Sequence, residues 1–201
     1  MDRTVGRVFA DLYLKALEAW QSNGTVPGPW RVAFEATKAE QQGRHLPPLR
    51  HVLLGMNAHV NYDLPQSLIA VITDSEFRDG PLMSKRRADH EHIDGVLASR
   101  VAAEDGELMK EERPGDRTLL DKALTPFNRL GTKRFLKEAR RKVWHNANVL
   151  SEARQRGPDV FATKLAELDE LSAVRVADLR RPGQVLLRLA LRGFGVQLTS
   201  L

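Results

Sequence analysis

The chain has 201 residues, of which 42% are hydrophobic, 6% aromatic and 28% charged, with a net charge of +5. That length supports one domain with a sizeable core, the apolar share excludes a disordered chain, and no apolar run approaches the roughly 20 residues of a membrane-spanning helix. Cysteine is absent, which excludes disulfides, thiolate nucleophiles and thiolate-held metals. Met1 to Thr4 lead straight into an amphipathic pattern with no signal segment, so a cytoplasmic protein is expected.

Apolar residues recur mostly at three and four, the helical period. Val5, Val8, Phe9, Leu12, Tyr13, Ala16, Leu17 and Trp20 make the first stripe, and the run Ser22 to Pro29 ends it with glycine and two prolines. A second helix is expected over about Trp30 to Gln42 with Trp30, Ala33, Phe34 and Thr37 inward. A third runs from about Leu49 to Asp63, and Pro65 either kinks it or begins the next, which reaches about Thr73. Ser75 to Met83, with Asp79-Gly80-Pro81, reads as a loop. A long helix is expected over Ser84 to Glu104, then a polar segment, Asp105 to Asp116. Further helices follow at Leu119 to Arg129, Thr132 to Arg156, Asp159 to Arg180 and Pro182 to Leu191, and Gly193 to Leu198 forms a short extended tail. The expected fold is all-α, a single-domain bundle of about seven to nine helices spanning residues 1–201.

The stretch His51 to Asp63 does not read as a surface helix. Val52, Leu53, Leu54, Met56 and Val60 fall on more than one face, the pattern of a central helix. It nevertheless carries His51, Asn57, His59, Asn61 and Asp63. A buried polar group without a partner costs about 1–3 kcal/mol, so five of them require an internal network or a wet cavity. His59 and Asp63 are four apart, about 6 Å along the axis, a spacing that suits two ligands of one divalent metal or an Asp orienting an imidazole. His51 lies about 12 Å from His59 along the axis and is better placed to touch substrate or water. Asn57 and Asn61 form another such pair on a different face, placed to cap a neighbouring helix or bridge to its backbone.

A metal site needs ligands from a second helix. Asp89, His90, His92 and Asp94 form one candidate cluster, and His145, beside Trp144 and Asn146, is another. The bland alternatives are a solvated face for the first and a core tryptophan with an ordinary histidine for the second. The basic stripe Lys133, Arg134, Lys137, Arg140, Arg141 and Lys142 reads as a solvated, salt-bridged face. No nucleic-acid motif accompanies it. Phosphate-cradling glycine loops and nucleophile-elbow motifs are also missing from the sequence.

His51-Val-Leu-Leu-Gly-Met-Asn-Ala-His-Val-Asn-Tyr-Asp-Leu-Pro65 resembles the signature of domain-of-unknown-function family 5995. The order of other features is similar too: a first helix ending near Trp20, Pro29 spaced five before Phe34, Asp89 in mid-chain, and Ala-Arg-x-x-x-Trp at Ala139 to Trp144. The resemblance implies a mostly helical domain with His51, Asn57, His59, Asn61 and Asp63 as motif positions, and it implies no reaction. It favours Asp89 over His90 within the second cluster.

The leading expectation is an enzyme for a small, partly hydrophobic molecule. His59 would be general base or metal ligand and Asp63 its orienting partner or co-ligand. Asp89 would add a facing carboxylate, and His51 a substrate or water contact. Asn57, Asn61 and Trp144 would line or support the site, with Met56 and Val52 as apolar walls. Metal-assisted hydrolysis, with a divalent ion on His59, Asp63 and Asp89, and metal-free isomerisation or cyclisation both fit. The alternative is a non-catalytic small-molecule-binding or scaffold protein whose polar helix is structural. A homodimer is expected because Val185 to Leu191 holds one polar residue, Arg188, and so presents apolar surface nearly all round.

Overall fold

Two strong breaks shape the N-terminal half of the computed structural model, which describes residues 3–41, 46, 48–88, 119–181 and 192–201. Helix α1 (Arg3–Gln21) ends at a turn where Asn23 takes a positive φ. Helix α2 (Gly28–Gln41) starts with Pro29 in its first turn, where the missing N–H is no loss. Its inward residues are Trp30, Ala33 and Ala36, with Phe34 half-buried. Thr37 is exposed, contrary to expectation, because the close-packed stripe runs through Ala36 instead.

Helix α3 (Pro48–Ala58) passes without a break into a π-helical turn, His59–Asp63, and then into α4 (Leu64–Val71). The Leu64 N–H reaches back to the His59 carbonyl, the wide spacing of a π turn. Pro65 supplies the physical cause. It has no N–H to give the carbonyl four residues back and its ring crowds that carbonyl, so the preceding turn widens to make room. Pro65 thus lies in the first turn of α4, as one of the two expectations had it, and the helix swells at the motif just before it.

Residues 75–83 correct the expected loop, while 84–88 are helical as expected. Thr73 and Glu76 form a reciprocal capping box that opens α5 (Asp74–Arg78), and residues 80–88, with Pro81 in the first turn, are helical as well (α6). Helix α7 (Leu119–Arg156) is continuous through Gly131, where two helices were expected. A mid-helix glycine costs only about 1 kcal/mol against alanine, too little to stop a helix of this length. Gly157, at φ 133°, then turns the chain into α8 (Pro158–Arg180). The C-terminal residues 193–199 form neither helix nor strand, and Phe194, Val196 and Leu198 among them are buried. The described residues are all-α with no strand, and none of their helices is long and apolar enough to cross a membrane. Asp89, His90, His92 and Asp94 lie outside the described residues, as does Val185 to Leu191, on which the homodimer expectation rests.

Helix α8 packs against α2, α3 and α7, while α4 lies between α1 and α7. Two apolar clusters result. One joins Val5, Leu64, Leu68, Ile69, Val143, Trp144, Leu150 and Leu168, and the other joins Ala16, Trp30, Leu54, Ala58, Ala139, Val176 and Leu179. The π turn touches α1, α7 and α8, which places it at the junction. Helix α2 is held to α8 at its first residue. The Gly28 N–H donates to Asp169 Oδ1 at 2.8 Å, and a Cβ there would stand 2.5 Å from the other carboxylate oxygen.

Candidate functional site

The π turn presents its polar side chains in two opposite directions. Toward α1 and α2, His59 Nδ1 faces Asp63 Oδ2 at 2.7 Å, and the Trp30 indole N–H donates to the same oxygen at 2.9 Å. Asp63 is 1% exposed and His59 26%. Burial raises the Asp63 carboxyl above its usual range, against the opposing effects of His59 and Trp30. Asp63 Oδ1 is buried and has no hydrogen-bond partner among the described residues. With Asp63 ionised, the imidazole donates through Nδ1 and leaves Nε2 as the lone-pair nitrogen. The neighbouring Tyr62 phenol, pushed up to about 12 by burial and by the Asp169 and Asp63 carboxylates, stays protonated at neutral pH.

Aromatic rings enclose the imidazole. Phe9 stacks on it with ring centroids 3.4 Å apart, and Trp30 and Tyr13 stand edge-on at 5.7 Å and 6.2 Å. The apolar wall thus comes from α1 and α2 and not from Val52, which is exposed. His51 lies two turns earlier on α3, partly buried, and no hydrogen bond among the described residues joins it to the pair. Trp144, on α7, is buried in the first apolar cluster. No group of three His, Asp or Glu able to hold a metal ion occurs among the described residues, and the third ligand expected, Asp89, falls outside them.

In the other direction, Asn57 and Asn61 meet the C-terminal residues. Both Nδ2 groups donate to the Phe194 carbonyl, at 2.9 and 3.1 Å, and Asn61 Oδ1 accepts the Val196 N–H at 3.0 Å. Both asparagines therefore bridge to a backbone, but to that of the non-helical residues 194–196 and not to a neighbouring helix as their spacing suggested.

Several residues of this second face escaped the sequence reading. Asn146 is fully buried on α7, donating to the Val196 carbonyl at 3.1 Å and accepting the Leu198 N–H at 2.9 Å. Lys142, assigned to a solvated stripe, donates to the Gly195 carbonyl at 3.0 Å, and Arg140 of the same stripe is buried. Lys142 is thus a partner of Gly195, while Lys137 and Arg141 of the stripe are exposed as expected. A cleft of about 240 Å³ also opens on this side, lined by Lys142, Val174, Arg175, Asp178, Val196 and Gln197, away from His59.

Among known proteins, the model of a family of unknown function (DUF5995) matches residues 3–182. No curated protein and no solved structure matches the chain.

Proposed function

Because the chain belongs to this family of unknown function, we propose its activity from the dyad alone: acid–base catalysis on a small, partly hydrophobic molecule, with His59 as general base. The observation that carries the reading is the pairing of His59 Nδ1 with Asp63 Oδ2 at 2.7 Å, on a carboxylate that Trp30 also fixes. Asp63 selects the tautomer and balances the charge that forms when Nε2 takes a proton. The rings of Phe9, Tyr13 and Trp30 suit a substrate with apolar or aromatic parts. Isomerisation or cyclisation through loss of an acidic C–H proton uses this equipment directly, and hydrolysis would need His59 to activate water. A divalent metal fits only through Nε2, with Asp63 as the outer partner of the ligating imidazole.

A non-catalytic reading is favoured by one observation, that Asn57 and Asn61 both serve the tail. The experiment separating the two is proton exchange in D2O. Wild-type protein is mixed with a panel of enolisable aryl ketones, and deuterium uptake at the α-carbon is followed by NMR. At least one ketone should exchange about 100-fold faster with wild type than with His59→Gln, the size expected of a positioned base. Equal rates across the panel, with both proteins folded, would defeat the catalytic reading.

A further inference from the structure

The residues from Gly193 to Thr199 are held as a receptor holds an extended peptide. Side chains alternate, with Phe194, Val196 and Leu198 buried and Gln197 and Thr199 exposed. Phe194 enters one apolar cluster and Val196 and Leu198 enter the other, so the segment joins the two. Its backbone is bonded to helix side chains, where a strand would use another strand. Asn61 takes the carbonyl of Phe194 and the N–H of Val196, and Asn146 takes the carbonyl of Val196 and the N–H of Leu198. The two amides repeat with a two-residue register, which is the pairing rule of a β-ladder.

Charged side chains continue the ladder at both ends. Glu138 Oε2 accepts the N–H groups of Phe194 and Gly195, at 3.1 and 3.2 Å, and Arg175 Nη1 donates to the Gly193 carbonyl at 3.2 Å. At the far end, Thr199 gives its N–H to Glu167 Oε1 at 3.0 Å and receives Lys164 Nζ on its carbonyl at 2.9 Å. His145 Nε2 lies 3.0 Å from the Leu198 carbonyl.

The seat also selects residue type. Gly193 has a φ of 76°, and a Cβ there would stand 2.7 Å from Glu138 Oε1. At Gly195 a Cβ would meet Lys142 Cδ at 2.9 Å and the Ala139 Cα at 3.1 Å, and the second of these is backbone that cannot turn aside. Backbone capture that ignores sequence, two positions that demand glycine and three apolar sockets together make a recognition site.

We propose that the groove between the π turn, α7 and α8 is a binding site for an extended polypeptide of the pattern Gly-apolar-Gly-apolar-x-apolar. The chain's own residues 193–199 are its resident occupant, bound in cis by contacts that do not depend on the covalent link.

A tethered occupant has an effective concentration of order mM and masks added peptide, so the test must first unseat it. The full chain carrying Gly193→Ala and Gly195→Ala does this without altering the receptor side chains. A fluorescently labelled peptide with the sequence of residues 193–201 is then added and followed by anisotropy and by thermal melting. Saturable binding and a raised melting temperature are expected. The same peptide with alanine at both glycines should bind at least about tenfold more weakly, and so should the wild-type peptide to the chain that also carries Asn61→Ala. If the substituted chain does not fold alone, refolding with the wild-type peptide must restore helical circular dichroism. Failure of the peptide to bind or to rescue, or equal binding of the alanine peptide, overturns the proposal.

Discussion

On one side of the π turn Asn61 has both ends of its amide satisfied by the tail backbone. On the other, Asp63 receives two donors on a single oxygen and leaves the second buried without a partner among the described residues. The first arrangement uses neutral groups that lose little on desolvation once bonded. The second keeps an ionisable group where burial opposes its charge. Residues two apart on one turn thus differ: Asn61 is paired at both ends of its amide, whereas Asp63 keeps a buried carboxylate oxygen without a partner among the described residues. A charge perturbed by burial is what the proposed base catalysis rests on.

The largest effect should come from stripping the paired face. Asn61→Ala removes the acceptor of the Val196 N–H and one of two donors to the Phe194 carbonyl, at a cost of about 2–4 kcal/mol in chemical denaturation. Asn57→Ala should cost less, about 1 kcal/mol, because the Phe194 carbonyl keeps Asn61. If the two variants lose equal stability, the amide ladder is not what holds the tail.

Trp30→Phe comes next and reaches the other face. It deletes the indole donor to Asp63 Oδ2 and should cost about 1–3 kcal/mol, since a buried carboxylate loses a charge-assisted bond. The loss should be larger at pH 8 than at pH 5, because the missing bond supported the ionised form. A loss independent of pH would make Trp30 a packing residue only.

How far the sequence revealed these two faces depends on how local each one is. The dyad was legible because its two members lie one turn apart on one helix, and helical geometry alone brings them together. Trp30 was read as an inward residue, but its bond to Asp63 depends on how α2 crosses the π turn, and spacing carries no such information. The tail was visible only as a weak alternation of Phe194, Val196 and Leu198. Its partners are scattered from Asn57 to Arg175, and nothing local marks Asn146 or Lys164 as receptors. The capping box of α5 was present as Thr73-Asp-Ser-Glu76 and was outweighed by Asp79-Gly80-Pro81, where Pro81 belongs to the first turn of a helix.

The smallest effect on stability, and the one that separates the faces most sharply, belongs to Asp63→Asn. The amide oxygen can still accept from Trp30 and His59, so the geometry of the two donors survives. What disappears is the charge. A carboxyl whose folded pKa is raised above its unfolded value adds stability below the unfolded pKa, about 3.9, and that stability is lost as pH rises through the folded pKa. Asp63 therefore works against the folded state at neutral pH. Asp74 and Glu167 run the other way. The Arg154 hydrogen bond lowers Asp74, and at Glu167 the bonds from Lys164 and Thr199 outweigh the effect of burial. The whole-protein curve mixes these signs, whereas the difference between variant and wild type isolates position 63 and the His59 it touches. In melts from pH 4 to pH 8 the variant should gain on wild type as pH rises, ending within about 1 kcal/mol of it and on the stable side. His59-dependent proton exchange should fall with the same substitution, because an amide does not balance the imidazolium that forms. A variant that instead loses about 2–4 kcal/mol, as expected for Asn61→Ala, would make Asp63 a strut like its neighbour. The two faces would then differ in chemistry but not in purpose.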